Sequence, residues 1–139
     1  MSQLSAYLRF GGACREAMTF YQACLGGDLT MQTIGESPVA DQMPPEMHDR
    51  IIHAMLVNGA LSLLGSDMAG PEGLTPGNTI ALSLNCDSEE GLNDAYASLS
   101  AGGQATFQPQ KEFWGGMFGT LVDKYGVEWL LNYTPMPAK

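Results

Sequence analysis

The sequence predicts an α+β fold: one domain over residues 1–139, made of two βαβββ modules (about 1–72 and about 73–139) whose open curved sheets surround a cavity. Two observations carry this. A strand, a helix and a double glycine occur in that order twice, with the glycine pairs 76 residues apart, from Gly26 to Gly102. Three strand-like runs follow each pair, and the glycines that turn the last two runs, Gly59 and Gly126, lie 67 residues apart. The longer Gly35–Asp49 loop accounts for most of the difference.

Ser5 to Phe10 alternates as a strand, with Ser5, Tyr7 and Arg9 on one side and Ala6, Leu8 and Phe10 on the other. From Ala13 to Leu25 the apolar residues Cys14, Ala17, Met18, Tyr21 and Leu25 recur at helical spacing, and Gly26-Gly27 closes the helix. Asp28 to Ile34 reads as the second strand, followed by a loop holding Pro38, Pro44 and Pro45. Arg50 to Val57 and Ala60 to Ser66 form a hairpin about Asn58-Gly59, because this dipeptide readily adopts the positive φ that a tight hairpin turn needs.

The second module starts at Asn78 to Asn85, with Ile80, Leu82 and Leu84 sharing one side. Asp87 or Ser88 caps a helix whose first turn carries Glu89 and Glu90 and whose apolar face is Leu92, Ala95, Tyr96 and Leu99. Gln104 to Gln108 is a strand, and Met117 to Asp123 and Val127 to Tyr133 make a hairpin about Lys124-Tyr125-Gly126. In its closing strand Val127, Trp129, Leu131 and Tyr133 face the packing side, leaving Glu128, Leu130 and Asn132 on a wetter one.

Composition narrows the function. Six basic against 15 acidic residues give a net charge of −9, and no Lys/Arg cluster offsets it, which argues against nucleic-acid binding. Hydrophobic residues are 45% and charged ones 15% of the chain, which excludes disorder. No apolar run approaches the roughly 20 residues of a membrane helix, and the opening MSQLSAYLRF has no signal-peptide pattern. Cys14, Cys24 and Cys86 have no metal-binding spacing, and Cys14 and Cys24 lie too far apart along one helix to be bridged. A cytoplasmic protein with reduced thiols and no membrane partner is expected.

AYLRFGG, CREAMTFYQACLGG, IIHAMLVNG, LLGSD, FWGGMFG and DKYGVEWLLN together resemble the PhnB-like branch of the vicinal oxygen chelate superfamily, which includes glyoxalase I, bleomycin-resistance proteins and extradiol dioxygenases. The branch is also labelled 3-demethylubiquinone-9 3-methyltransferase-like, although no glycine-rich strand-loop-helix on an α/β sheet marks a methyl-donor site here. The resemblance implies paired βαβββ modules, homodimers and a pocket in each open barrel. It also implies four metal-ligand positions, which fall at about Ser5, on His53, at about Thr79 and at about Leu130. Only His53 among these ligates well, so neither metal nor cofactor is expected.

His53, among Ile51, Met55 and Val57, is either a hydrogen-bonded core residue or a cavity group able to act as base, acid or ligand anchor. His48 is read as solvated. Substrate contacts are assigned to Tyr7, Arg9, Gln110, Trp114, Glu128 and Asn132. Phe113, Phe118 and Trp129 are assigned to the core, Trp114 to a pocket rim, and Ser66-Asp67 to a cap or turn contact. Three readings follow. One is a small-molecule binder; the second is a lyase, isomerase or transferase-like enzyme using His53, metal-free or with a displaced metal. The third is a structural or partner-binding protein. Exposed sheet edges further predict a homodimer.

Overall fold

The pleat of a strand forces neighbouring side chains to opposite faces, so a sheet covered by one helix buries every second residue and leaves the rest bare. The computed structural model, which describes residues 4–68, 73–75 and 77–135, shows this twice. The chain divides into two units, Met1–Thr75 and Pro76–Lys139. The first runs β1 (Ala6–Arg9), α1 (Cys14–Leu25), β2 (Asp28–Thr33), β3 (Ile51–Asn58) and β4 (Leu61–Ser66), and its sheet has the order β1-β4-β3-β2. The second runs β5 (Leu82–Cys86), α2 (Glu89–Ser100), β6 (Gln104–Lys111), β7 (Met117–Val122) and β8 (Glu128–Tyr133), in the order β5-β8-β7-β6. First and fourth strands pair in parallel and the remaining pairs are antiparallel in both sheets. Each unit is therefore a βαβββ module with a four-stranded mixed sheet.

In the first unit Cys14, Ala17, Met18 and Tyr21 of α1 are buried, together with Ala54, Leu56 and Leu63 of the sheet. Gly65 makes this contact close, since a Cβ there would stand 2.9 Å from Met18 Sδ and 3.2 Å from Cys14 Sγ. In the second unit Leu92, Tyr96 and Leu99 are buried along with Met117, Leu121, Trp129 and Leu131. The second glycine of each pair plays the same part in both. A Cβ on Gly27 would run into the carbonyl oxygen of Val57, and one on Gly103 into that of Val122, so the chain leaving each helix crosses the hairpin at backbone contact.

Several boundaries depart from the sequence reading. The β3–β4 turn is Gly59-Ala60 rather than Asn58-Gly59, because Asn58 pairs with Leu61 and donates its side-chain Nδ2 to the Leu25 carbonyl at the end of α1, 2.9 Å away. Gly59, at φ 59°, supplies the positive φ at the first loop position. β5 begins at Leu82, leaving Ile80 79% exposed outside the strand. β6 continues to Lys111 through Pro109, with register shifts on both sides of Phe107, and β2 has a shift between Gln32 and Thr33. His48 is half-buried rather than merely solvated: its Nε2 lies 2.9 Å from the Ala40 carbonyl and 3.2 Å from that of Met43, which pins the loop before β3. Of the two cap candidates for α2, Ser88 is used, accepting from Gly91 N at 2.9 Å.

Helix α1 has no capping oxygen of its own, since Ala13 stands at its start. The buried carboxylate of Asp67 fills that place from the end of β4. Its Oδ1 accepts from Gly12 N and Cys14 N, and its Oδ2 from Ile51 N, each at 2.9 Å. Asp123 does comparable work in the β7–β8 turn, accepting from the amides of Tyr125 and Val127 and from Trp129 Nε1. Replacing Asp67 by Asn puts an amide NH2 against backbone donors in a buried place. Urea unfolding of Asp67→Asn is expected to show a loss of about 2–4 kcal/mol, and an unchanged midpoint would refute this role.

Burial and the neighbouring Asp67 charge push the Cys14 thiol up from the ordinary 9.0 to about 12. The unfolded chain releases this proton near pH 9 while the folded chain holds it, so Cys14 makes stability fall as pH rises from about 9 through about 12. Melts at stepped alkaline pH are expected to show a shallower decline in Cys14→Ala than in the parent chain.

Candidate functional site

Strand register arranges the bare face of each sheet into rows. In the first unit Gln32 pairs with His53, and Arg9 with Ser66; extending the β3–β4 pairing of Ala54 with Gly65 by one residue sets His53 opposite Ser66. The first row is thus Gln32, His53, Ser66, Arg9, of which Ser66 is fully buried and its Oγ donates to the Ile52 carbonyl at 2.8 Å. The second is Thr30, Met55, Leu64, Tyr7, and the third is Asp28, Val57, Ser62, with Ser5 completing it through a 3.1 Å hydroxyl contact to Ser62. Strands are spaced about 4.8 Å apart and rows about 7 Å. A polar row therefore borders an apolar one.

The second unit repeats the grid. Gln110, Phe118, Asn132 and Asn85 form its first row, and Phe107, Thr120, Leu130 and Ser83 its second; Val122 and Glu128 stand in the third. Asn132 Nδ2 donates to Asn85 Oδ1 at 3.5 Å and to Thr134 Oγ1 at 3.2 Å. Phe107 and Phe118 meet with ring centroids 6.2 Å apart.

The sequence-assigned residues fall into these rows unevenly. Arg9 and His53 share the polar row of the first unit, about 10 Å apart across β4, and Tyr7 lies in the adjoining row. Gln110 and Asn132 share the first row of the second unit. Glu128 does not join them, because four residues of strand carry it about 13 Å along β8. Trp114 lies in the turn after β6, where Gly115 N donates to the Glu112 carbonyl and the indole folds over Gly116, leaving no room for a Cβ there.

The structure excludes one of the two readings of His53 and two of the three core assignments. His53 is exposed, so the buried-core reading is excluded within its unit. Phe113 is 99% exposed at the tip of the turn and is no core residue; Phe118 is half-buried on the bare face, and only Trp129 is packed as expected, at 2% exposure. Ser66-Asp67 is the cap contact read from sequence. The reading missed Gln32, Asn85 and Thr120, which only strand register brings beside the assigned residues. No signal shorter than the whole pairing pattern marks them.

The Glyoxalase/Bleomycin resistance protein/Dioxygenase superfamily model matches residues 3–131. The chain belongs to this superfamily. Protein YjdN of Escherichia coli K12 is 32% identical over 93% of both chains. The crystal structure of PA1353 from Pseudomonas aeruginosa is 34% identical, with a TM-score of 0.85 over 96% of this chain and 98% of that one. A PhnB protein from Bacillus cereus shares the fold at 23% identity, with a TM-score of 0.73 over 96% of this chain and all of the other.

The metal site implied by the superfamily resemblance does not fit the residues present. Leu130 offers no donor atom, Thr79 precedes β5, and Ser5 bonds Ser62 in the third row. His53 is two strands and two rows from Ser5, about 16 Å away, too far for one ion. Among the described residues no three His, Cys, Asp or Glu side chains gather as a metal would require. Calorimetric titration with Zn²⁺, Ni²⁺ or Mn²⁺ is expected to show no stoichiometric tight site; one that vanished in His53→Ala would overturn this.

Proposed function

We propose that this superfamily member is a cytoplasmic homodimer that binds a small molecule against its bare sheet faces without a divalent metal. The observation that carries the reading is the uncovered apolar surface beside a polar row. Tyr7 is 49%, Met55 36%, Val57 39% and Phe107 41% exposed, on faces where packing within each unit has no use for them. Arg9, His53 and Gln32 in one unit, and Gln110, Asn132 and Asn85 in the other, supply polar groups that orient a ligand. Cys14, Cys24 and Cys86 form no disulfide among the described residues, in keeping with a reducing compartment, and no helix of the described residues is long and apolar enough to cross a membrane.

The exposed imidazole of His53 in the same row as Arg9 supports a second reading, in which the bound molecule is turned over by acid–base catalysis. Methyl transfer, named in the label of the PhnB-like branch, gains no such support. At the start of α1, the strand–Gly-Gly–helix segment of the first unit, the amides of Gly12 and Cys14 are already bonded to Asp67.

Native mass spectrometry of protein taken directly from cells is expected to retain a small molecule of unchanged mass on a dimer. Bare protein together with a monomeric sedimentation coefficient at micromolar concentration would overturn the binding and assembly readings. A retained molecule converted to a new mass on incubation, but unchanged with His53→Ala, would select catalysis.

A further inference from the structure

We infer that the ligand of the first unit is an amphipathic anion: an aromatic or otherwise apolar body bearing one carboxylate or phosphate group. Arg9 receives the charge, and the body lies over Tyr7, Leu64 and Met55. The inference rests on reading the bare face as a ligand surface, and three observations extend that reading to a chemical class.

The first is the state of Arg9. It is exposed, and among the described residues its side chain makes no ion pair and no hydrogen bond, in a chain with 15 acidic residues against 6 basic. Lys111, by contrast, stands 3.6 Å from Glu89. A guanidinium is a planar fork of donors matched to an oxyanion, so Arg9 presents an unfilled recognition element.

The second is the absence of a competing carboxylate on this face. The rest of the polar row is Gln32, His53 and the buried Ser66, none of them acidic. Asp28 occupies the opposite corner, three strands and two rows away. Asp67, which follows Ser66, has both oxygens bonded to backbone amides.

The third comes from the duplication. The equivalent pairing in the second unit places Asn85 opposite Asn132 where the first has Arg9 opposite Ser66. Asn132 Nδ2 donates to Asn85 Oδ1 there at 3.5 Å, and neither side chain is charged, so the topology needs no cation at that point. The row spacing of about 7 Å then sets the ligand's dimension: a charged head at Arg9 lays a bicyclic ring across the Tyr7–Leu64–Met55 row.

Isothermal titration calorimetry of the full chain with 2-naphthoate, 2-naphthyl phosphate and the neutral 2-naphthamide tests this. At least one acid is expected to bind about tenfold or more tighter than the amide, weakening as NaCl is raised from 50 to 500 mM while the amide does not. The better acid distinguishes a carboxylate from a phosphate ligand. Arg9→Gln is expected to bring the acids to the affinity of the amide without changing the amide itself, and Arg9→Lys to restore part of the difference. Circular dichroism melts confirm folding of both variants. Equal, salt-independent binding of acid and amide, or an advantage that survives Arg9→Gln, overturns the anion inference and leaves ligand binding at the bare face standing. No binding by any of the three probes overturns both.

Discussion

The carboxylate of Asp67 is the point on which the first unit depends. Its three amide donors come from the β1–α1 connection and from the start of β3, while its own backbone N–H donates to the Ile51 carbonyl at 2.8 Å. Phe10 N in turn donates to the Ser66 carbonyl at 2.8 Å. Three chain segments are thereby fixed within one or two residues of Arg9, Ser66 and His53. The backbone of the polar row is thus anchored by the buried knot beside it, so a site built on it is positioned by the same bonds that begin the helix. A buried carboxylate meeting three N–H groups loses its hydration, and the charge-assisted bonds replace it.

Duplication under one topology separates what the fold requires from what each face is used for. Both units keep the helix-facing alternation, the close glycine crossing and the strand order. Their bare faces differ: one carries Arg and His over Met, Leu and Tyr, the other amides over Phe, Thr and Leu. Packing constrains the first set of positions tightly, because a methyl group added at Gly65 or Gly103 has nowhere to go. It leaves the second set free to vary.

Much of this was legible in the chain itself. Period-two and period-3.6 patterns located the strands and both helices, because burial on one face writes directly into residue order. The double glycines marked the helix ends, and the spacing of 76 and 67 residues exposed the repeat. The misreadings have physical causes. Ile80 continues an apolar alternation past the point where β8 offers it a partner, so pattern alone overextended β5. Asn58-Gly59 is a strong turn signal, but the Asn side chain is needed at the Leu25 carbonyl and shifts the turn by one residue. His53 was ambiguous because a strand's pattern tells which side chains share a face, not whether that face is covered. Gln32 and Asn85 reach the site through pairing between segments distant in sequence, and local pattern carries no record of it.

The irregular outer strands have a consequence for the protein's behaviour at high concentration. β6 carries a proline, which has no N–H to offer, and its register breaks twice; β2 breaks once near its end. A straight, fully hydrogen-bonding border would invite a neighbouring molecule to add a strand and begin fibrillar growth. These two borders are poor templates for it, which leaves the short β1 and β5 as the regular edges of the two sheets.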